Sequence, residues 1–278
     1  MAPVAPPIEL DGVPVDGPRA AELGLLNYGH FSALRVDDLR VQGLDLHLER
    51  LARDCALVFG TELDQDRVRV LLRRVAQAGP GPTLLRATVI VPTGGPNRPG
   101  LPADDPDARP SVLVSTRAPA APGPTPELRV RTTNFVRQLP AVKHLGMFGP
   151  LHERHAAQRA GFDDALFLTG PEPTARVCEG PTWNVAVLID DELIWPDDQC
   201  LPGVTREILR RVFAQAGIEW SSRPVTRADL ADVRAAFATS AGVGVVPITA
   251  IDEVTLPGDA RLLDELQAAY AQYPATPI

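Results

Sequence analysis

Four prolines fall within nine residues at Ala118-Pro119-Ala120-Ala121-Pro122-Gly123-Pro124-Thr125-Pro126. Proline lacks the N–H that a helix interior or a central strand needs, and it disfavours helix in the residue before it. No regular element runs through such a stretch, so the chain before it and the chain after it each need a core. We read 118–126 as an interdomain connector, dividing an N-terminal domain, 1–117, from a C-terminal domain, 127–278.

On the N-terminal side, Ile8 to Val15 reads as a hairpin turning on Asp11-Gly12. Asn27 to Val36 is a strand-like run. From Leu44 to Phe59 the apolar period is helical, with Leu44, Leu48, Leu51, Ala52, Cys55, Val58 and Phe59 on one stripe and Gly60 as C-cap. A second helix is expected over Gln65 to Gln77, strands over Leu84 to Val91 and Ser111 to Thr116, and a Pro-, Gly- and Asp-rich loop over 92–110. Beyond the connector the pattern gives strands over Leu128–Asn134, Asp164–Thr169, Val185–Ile189 and Glu192–Trp195. Helices are expected from Phe148 to about Arg159, from the Leu201-Pro202-Gly203-Val204-Thr205-Arg206 opening to Ala216, and from Asp259 to Tyr273. Phe237 to Pro247 carries small residues into a strand. Strands and helices therefore mix in both halves.

A net charge of −8 argues against a general nucleic-acid or acidic-membrane binder. Cys55, Cys178 and Cys200 lie far apart and form no CxxC pair, which suits free thiols in the cytoplasm and implies no metal. Met1 to Pro7 lacks the basic start and apolar run of a signal peptide, and no stretch is apolar enough to span a membrane.

One residue type is used once. Lys143 is the single lysine among 27 lysines and arginines. Guanidinium stays protonated, whereas a desolvated primary amine can lose its proton and attack a carbonyl. By residue type alone a lysine belongs on the surface. Lys143, however, sits in Val142-Lys143-His144-Leu145. Glu179-Gly180-Pro181-Thr182-Trp183-Asn184 begins 36 residues later, and Leu201-Pro202-Gly203-Val204-Thr205-Arg206 another 22 after that. The last segment has the small and hydroxyl residues of an anion-binding helix start. His47-Leu48-Glu49-Arg50-Leu51 places an arginine at the border of a helical stripe, and Arg86 lies within a strand. Each has an ordinary structural explanation taken singly.

In this order and spacing the segments resemble the fold-type IV pyridoxal-phosphate enzymes, over most of the chain from His47 to Pro247. That family holds branched-chain and D-amino-acid aminotransferases, ω-amine transaminases and aminodeoxychorismate lyase. The resemblance implies an α/β (α+β) fold with a small N-terminal α/β domain and a larger C-terminal domain on a barrel-like sheet, the cofactor between them, in a homodimer. It implies that Lys143 holds the aldehyde of pyridoxal 5'-phosphate as an aldimine and later moves a proton. Glu179 would face the pyridine nitrogen, Arg50 would grip the phosphate with Val204 and Thr205, and Leu201 would pack on the ring. The backbone at Ala241 and Gly242 would approach the phosphate or the substrate carboxylate, and Tyr28, Phe31, Arg86 and Phe148 are the substrate-binding candidates. Phe148 stands where branched-chain enzymes carry a tyrosine, Ala241 where a hydroxyl residue is common, and Pro181 where a small residue is usual. The leading expectation is amino transfer between an amino acid or amine and a keto acid. The alternatives are an aminodeoxychorismate-lyase-like elimination releasing pyruvate and a degenerate member that only binds.

Overall fold

The computed structural model describes residues 8–79, 81–92, 109–119 and 125–278. Met1 to Pro7, most of the loop expected over 92–110 and the middle of the connector expected over 118–126 lie outside the described residues. The chain divides into two compact units, one of Met1–Ala121, Val142–Gly146 and Pro274–Ile278, the other of Pro122–Ala141 and Met147–Tyr273. The division expected from the prolines thus gains two exchanges, since the Lys143 segment and the last five residues group with the first unit.

In the first unit β1 (Ile8–Leu10) and β2 (Val13–Pro14) form the expected hairpin. Its turn residues, Asp11 at φ 51 and Gly12 at φ 82, are both left-handed, the backbone a two-residue turn between right-twisted strands calls for. A helix that the apolar pattern does not show, α1 (Gly17–Gly24), follows; Asp16 caps it by accepting from the Arg19 amide at 2.9 Å. β3 (His30–Val36), β4 (Arg40–Gln42), α2 (Leu44–Phe59), α3 (Gln65–Gln77), β5 (Thr83–Ile90) and β6 (Ser111–Arg117) complete the run. The sheet is antiparallel in the order β2-β1-β6-β5-β3. Leu51 and Cys55 from α2 and Leu72 from α3 pack with Leu34, Leu85 and Val114 of the sheet. Gly60 ends α2 in the left-handed conformation at φ 65, as its position suggests.

The second unit holds β7 (Leu128–Asn134), α4 (Phe148–Arg159), β8 (Asp164–Thr169), β9 (Arg176–Val177), β10 (Asn184–Ile189), β11 (Glu192–Pro196), α5 (Val204–Ala216), β12 (Trp220–Arg223), β13 (Ala235–Ser240), β14 (Gly244–Ile251), β15 (Val254–Thr255) and α6 (Ala260–Gln272). Its sheet runs β12-β11-β10-β13-β14-β7-β8-β9, with β15 beside β14. β7 and β8 are parallel, with α4 between them in sequence. Along β10 the two-residue period divides the side chains cleanly. Ala186 and Leu188 face Leu209 and Phe213 of α5 and Leu266 of α6. Val185 and Val187 instead join Leu166, Leu168, Val246 and Ile248 from the far strands of the same sheet. One sheet can pack against itself in that way only by curling, and it forms a half-barrel. The single strand expected over Phe237 to Pro247 is two strands, β13 and β14. Ala241-Gly242-Val243 turns the chain, with the Val243 amide donating to the Ser240 carbonyl at 3.3 Å and Gly244 at φ 72. Gly242 has no side chain to pack and Gly244 takes the left-handed conformation, which breaks the strand and leaves Val243 50% exposed. A last strand, β16 (Ala275–Pro277), pairs with β4 in the first unit.

Candidate active site

Each unit gathers its own cluster of chemically capable side chains. In the first, α2 presents two buried stripes. Beside the apolar one run His47, Arg50 and Asp54, three and four residues apart and so stacked along one edge of the helix. Arg50 is 6% exposed. Its Nη2 donates to Ser32 Oγ at 2.5 Å and lies 3.4 Å from His47 Nδ1, while its Nε has no partner among the described residues. Burial lowers its pKa to about 10, with the Asp54 carboxylate working against that shift. His47 Nδ1 lies 2.7 Å from Ser32 Oγ. Burial, then the Arg50 and Lys143 charges, hold His47 well below the usual imidazole range. His30, fully buried with neither ring nitrogen partnered among the described residues, is lowered to about 4, mainly by burial. Both imidazoles are therefore neutral at pH 7, and Arg50 is the cation of the stripe.

The Lys143 segment lies against this cluster. The Lys143 amide donates to Asp54 Oδ2 at 3.0 Å, and its carbonyl accepts from the Phe31 amide at 2.9 Å. The next amide but one, from Leu145, donates to the Gly29 carbonyl at 2.9 Å. A side chain at Gly29 would meet the Val89 carbonyl at 2.5 Å, so only glycine lets these backbones run so close. Lys143 Nζ sits 5.1 Å from the centre of the Phe31 ring, and the Arg86 guanidinium carbon sits 3.7 Å from it. Arg86 also donates to Thr88 Oγ1 at 3.2 Å, and burial lowers its pKa. Tyr28 stands apart, 43% exposed, with its hydroxyl on the Val58 carbonyl and its ring edge-on to Phe59. The first unit thus brings together Lys143, Arg50, Phe31 and Arg86.

In the second unit Glu179 is the centre. Its Oε1 accepts from Arg137 Nε at 2.8 Å, with both side chains 5% exposed. Its Oε2 accepts from the Leu201 amide at 3.0 Å and faces Asn184 Nδ2 at 3.5 Å. Asn184 in turn donates to the Leu201 carbonyl at 2.8 Å. This ties the Glu179 loop to the start of α5, where a Cβ on Gly203 would sit 2.0 Å from Asn184 Oδ1. The loop is pinned from its other side as well. Trp183 lies on Gly180, where a Cβ would come within 2.0 Å of the indole, and its Nε1 donates to Asp164 at 2.8 Å; Arg154 grips the same carboxylate with Nε and Nη2. Burial, reinforced by Glu179, pushes the Cys178 thiol far up, which keeps it inert.

Leu201, Val204 and Thr205 follow on the buried start of α5. No side chain caps that helix, and Thr205 Oγ1 is buried without a partner among the described residues. Ala241 and Gly242 form the turn between β13 and β14, the former two residues on from buried Thr239. Phe148, first residue of α4, is 83% exposed and stacks on His152 at 5.8 Å. Sequence reasoning missed Arg137 and Asp54. An arginine and an aspartate have no distinctive spacing, and their partners lie 42 and 89 residues away.

A profile of the class IV amino-transferase family matches residues 29–251. A branched-chain-amino-acid aminotransferase of Pseudomonas aeruginosa is 27% identical over 154 residues, 51% of this chain and 48% of that protein. The curated relatives are matched over between 36% and 48% of their own length. Among solved structures, a fold IV transaminase from Curtobacterium pusillum aligns at 27% identity over 94% of each chain, with a TM-score of 0.78. A hypothetical aminotransferase from Mycobacterium tuberculosis, solved in its PLP-bound form, shares the fold at 22% identity, covering 95% of this chain and 98% of that one, with a TM-score of 0.75.

Proposed function

Because this chain belongs to the class IV amino-transferase family, we propose that it is a pyridoxal-phosphate-dependent aminotransferase acting between an amino acid or amine and a keto acid. The observation that carries the reading is the setting of Lys143. The chain's only lysine is held by its own amide and carbonyl, the amide on Asp54 of α2, the helix whose buried Arg50 has an Nε without a partner among the described residues.

The residues present fit the cofactor. A phosphate asks for a buried cation or for free donors at a helix start; the first unit has the one in Arg50, and the second has the other in Thr205 Oγ1 and the uncapped first turn of α5. A pyridine nitrogen asks for an acid held ionised, and Glu179 has Arg137 to hold it so. Bound pyridoxal phosphate supplies an aldehyde that condenses with amines and a ring that takes up the electrons left when a Cα–H bond breaks.

The roles of this chain's residues follow. Lys143 Nζ holds the cofactor, and as a neutral amine it takes the proton from the substrate Cα. Glu179 keeps a proton at the ring nitrogen. Arg50 from the first unit and Val204 and Thr205 from the second would bind the phosphate, Leu201 would pack on the ring, and the turn at Ala241 and Gly242 would offer backbone to an anionic group. Arg86, braced on Phe31 with its charge partly desolvated, is suited to a substrate carboxylate, with Tyr28 and Phe148 as further substrate contacts. Among the described residues no helix is long and apolar enough to cross a membrane, and the three cysteines are free, which supports a cytoplasmic setting.

Purified protein should be yellow, and borohydride should fix the chromophore to the peptide holding Lys143. Amine donors should bleach the visible band and keto acids should restore it. Colourless protein that takes up no added cofactor sinks the assignment. Release of pyruvate from aminodeoxychorismate, with no bleaching by amines, points to the lyase.

The reading includes a homodimer. Val136, Leu139, Phe148 and Leu151 of the second unit are all more than a third exposed, Phe148 at 83%, and apolar exposure of that kind suits a covered face. Sedimentation equilibrium is expected to give twice the chain mass of 29.8 kDa. A monomer at micromolar concentration, fully active, contradicts it.

A further inference from the structure

The proposed chemistry gives no role to the most deeply buried carboxylate described in the first unit. Asp54 is 0% exposed and lies on α2 one turn beyond Arg50. A buried carboxylate is costly unless donors fill its lone pairs. Arg53 fills one oxygen, with Nε at 3.1 Å and Nη2 at 2.7 Å, and the Lys143 amide fills the other at 3.0 Å. The hydrogen bond to the Lys143 amide is charge-assisted and ends on a carboxylate closed off from water, which strengthens it. The Lys143 carbonyl is taken by Phe31, so the residue is fixed on both sides of its Cα.

Arg50 and Asp54 share one rigid helix. The guanidinium read above as a phosphate ligand and the anchor of the lysine backbone therefore keep a set spacing. Small displacements of a reacting group are expensive in rate, so a device that holds this spacing has a function. We propose that Asp54 is a positioning residue for Lys143: through the Lys143 amide it sets where the ε-amine begins relative to Arg50. This rests on the reading of Lys143 as the cofactor-bearing amine.

Three variants of the full chain separate the possibilities. Asp54→Leu removes the acceptor. Asp54→Ser draws it back from the amide. Asp54→Asn keeps an oxygen in place while Arg53, whose side chain is 41% exposed, can turn to solvent. Deuterium exchange at the peptide containing Val142 to Gly146 is measured first without cofactor. Borohydride fixation of pyridoxal phosphate follows, and because Lys143 is the only lysine, mass spectrometry assigns the product without ambiguity.

The Lys143 amide is expected to exchange about tenfold faster or more in the Leu and Ser variants. The Asn variant should stay near the parent, and the fixed fraction should fall in the same order, while peptides from α3 and β5 exchange as before. Rescue by asparagine is what a merely space-filling role does not give. The proposal is overturned if the folded Leu or Ser variant protects the amide as the parent does, or if the Asn variant is as damaged as either. Should the Leu variant fail to fold, the Ser and Asn comparison decides. If the parent takes up no pyridoxal phosphate, the reading of the lysine fails while the exchange data still decide the tether.

Discussion

Changing Lys143 to alanine is expected to lower transamination by about 10⁴-fold or more, since it removes both the cofactor attachment and the proton carrier. The fold should hardly notice. The side chain is part-buried and lies 5.1 Å from the centre of the Phe31 ring, a contact worth about 0.5–1 kcal/mol at a partly exposed site. Lys143→Arg makes the sharper test. It keeps a positive charge over the ring, but guanidinium neither condenses with an aldehyde nor gives up its proton near neutral pH. If charge were the requirement, arginine would retain activity; if a deprotonable amine is the requirement, arginine loses as much as alanine. A small primary amine added to the medium should recover some turnover in the alanine variant and less in the arginine one, where the space is filled. Turnover within tenfold of the parent in either variant would falsify the assigned role.

The second large effect belongs to the buried pair of Arg137 and Glu179. An opposite charge beside a titrating group shifts it by about 1–3 pKa units. Glu179→Gln should therefore cut the protonated share of a bound pyridine, and turnover with it, by about 10 to 10³-fold. Arg137→Leu acts by another path. It strips the partner from a carboxylate that is 5% exposed, which costs about 3–5 kcal/mol in stability. Removing both charges, as Arg137→Leu with Glu179→Leu, should recover much of that stability, because two apolar groups replace a pair that was costly to desolvate. Activity should not recover with it. From Arg137→Leu to the double variant, melting temperature then rises while turnover stays low. A double variant as unstable as Arg137→Leu alone, or one with parental turnover, contradicts the roles given to the two side chains.

The elements legible in the sequence are those that carry their own signals. α2, α3 and α6 show a buried stripe of helical period with a cap at one end or both, Gly60, Asp64 and Asp259 respectively. β7 and β8 stand at their expected limits because they are apolar or β-branched runs bounded by polar turns. α1 was illegible for the converse reason: it has no buried residue, so its sequence is under no apolar constraint. The pairing of β4 with β16 joins segments of three residues at opposite ends of the chain, and no local pattern encodes it. The same division holds at the site. Lys143, Glu179 and the α5 start, the residues proposed for the cofactor, stand out in the sequence by residue type and spacing. The groups that hold them, Asp54 and Arg137, act through contacts that exist only in the folded chain.

The threading of the backbone also limits how the protein can be divided. Passing out of the first unit after residue 121, the chain returns for Val142 to Gly146, leaves, and returns once more at Pro274. A fragment stopping at the prolines would lack the strand that covers β4, the Ile278 side chain that joins the first core, and Lys143 itself. Neither half can be cut out as a single length of polypeptide, so shuffling halves between relatives would require grafting all of these returning pieces together.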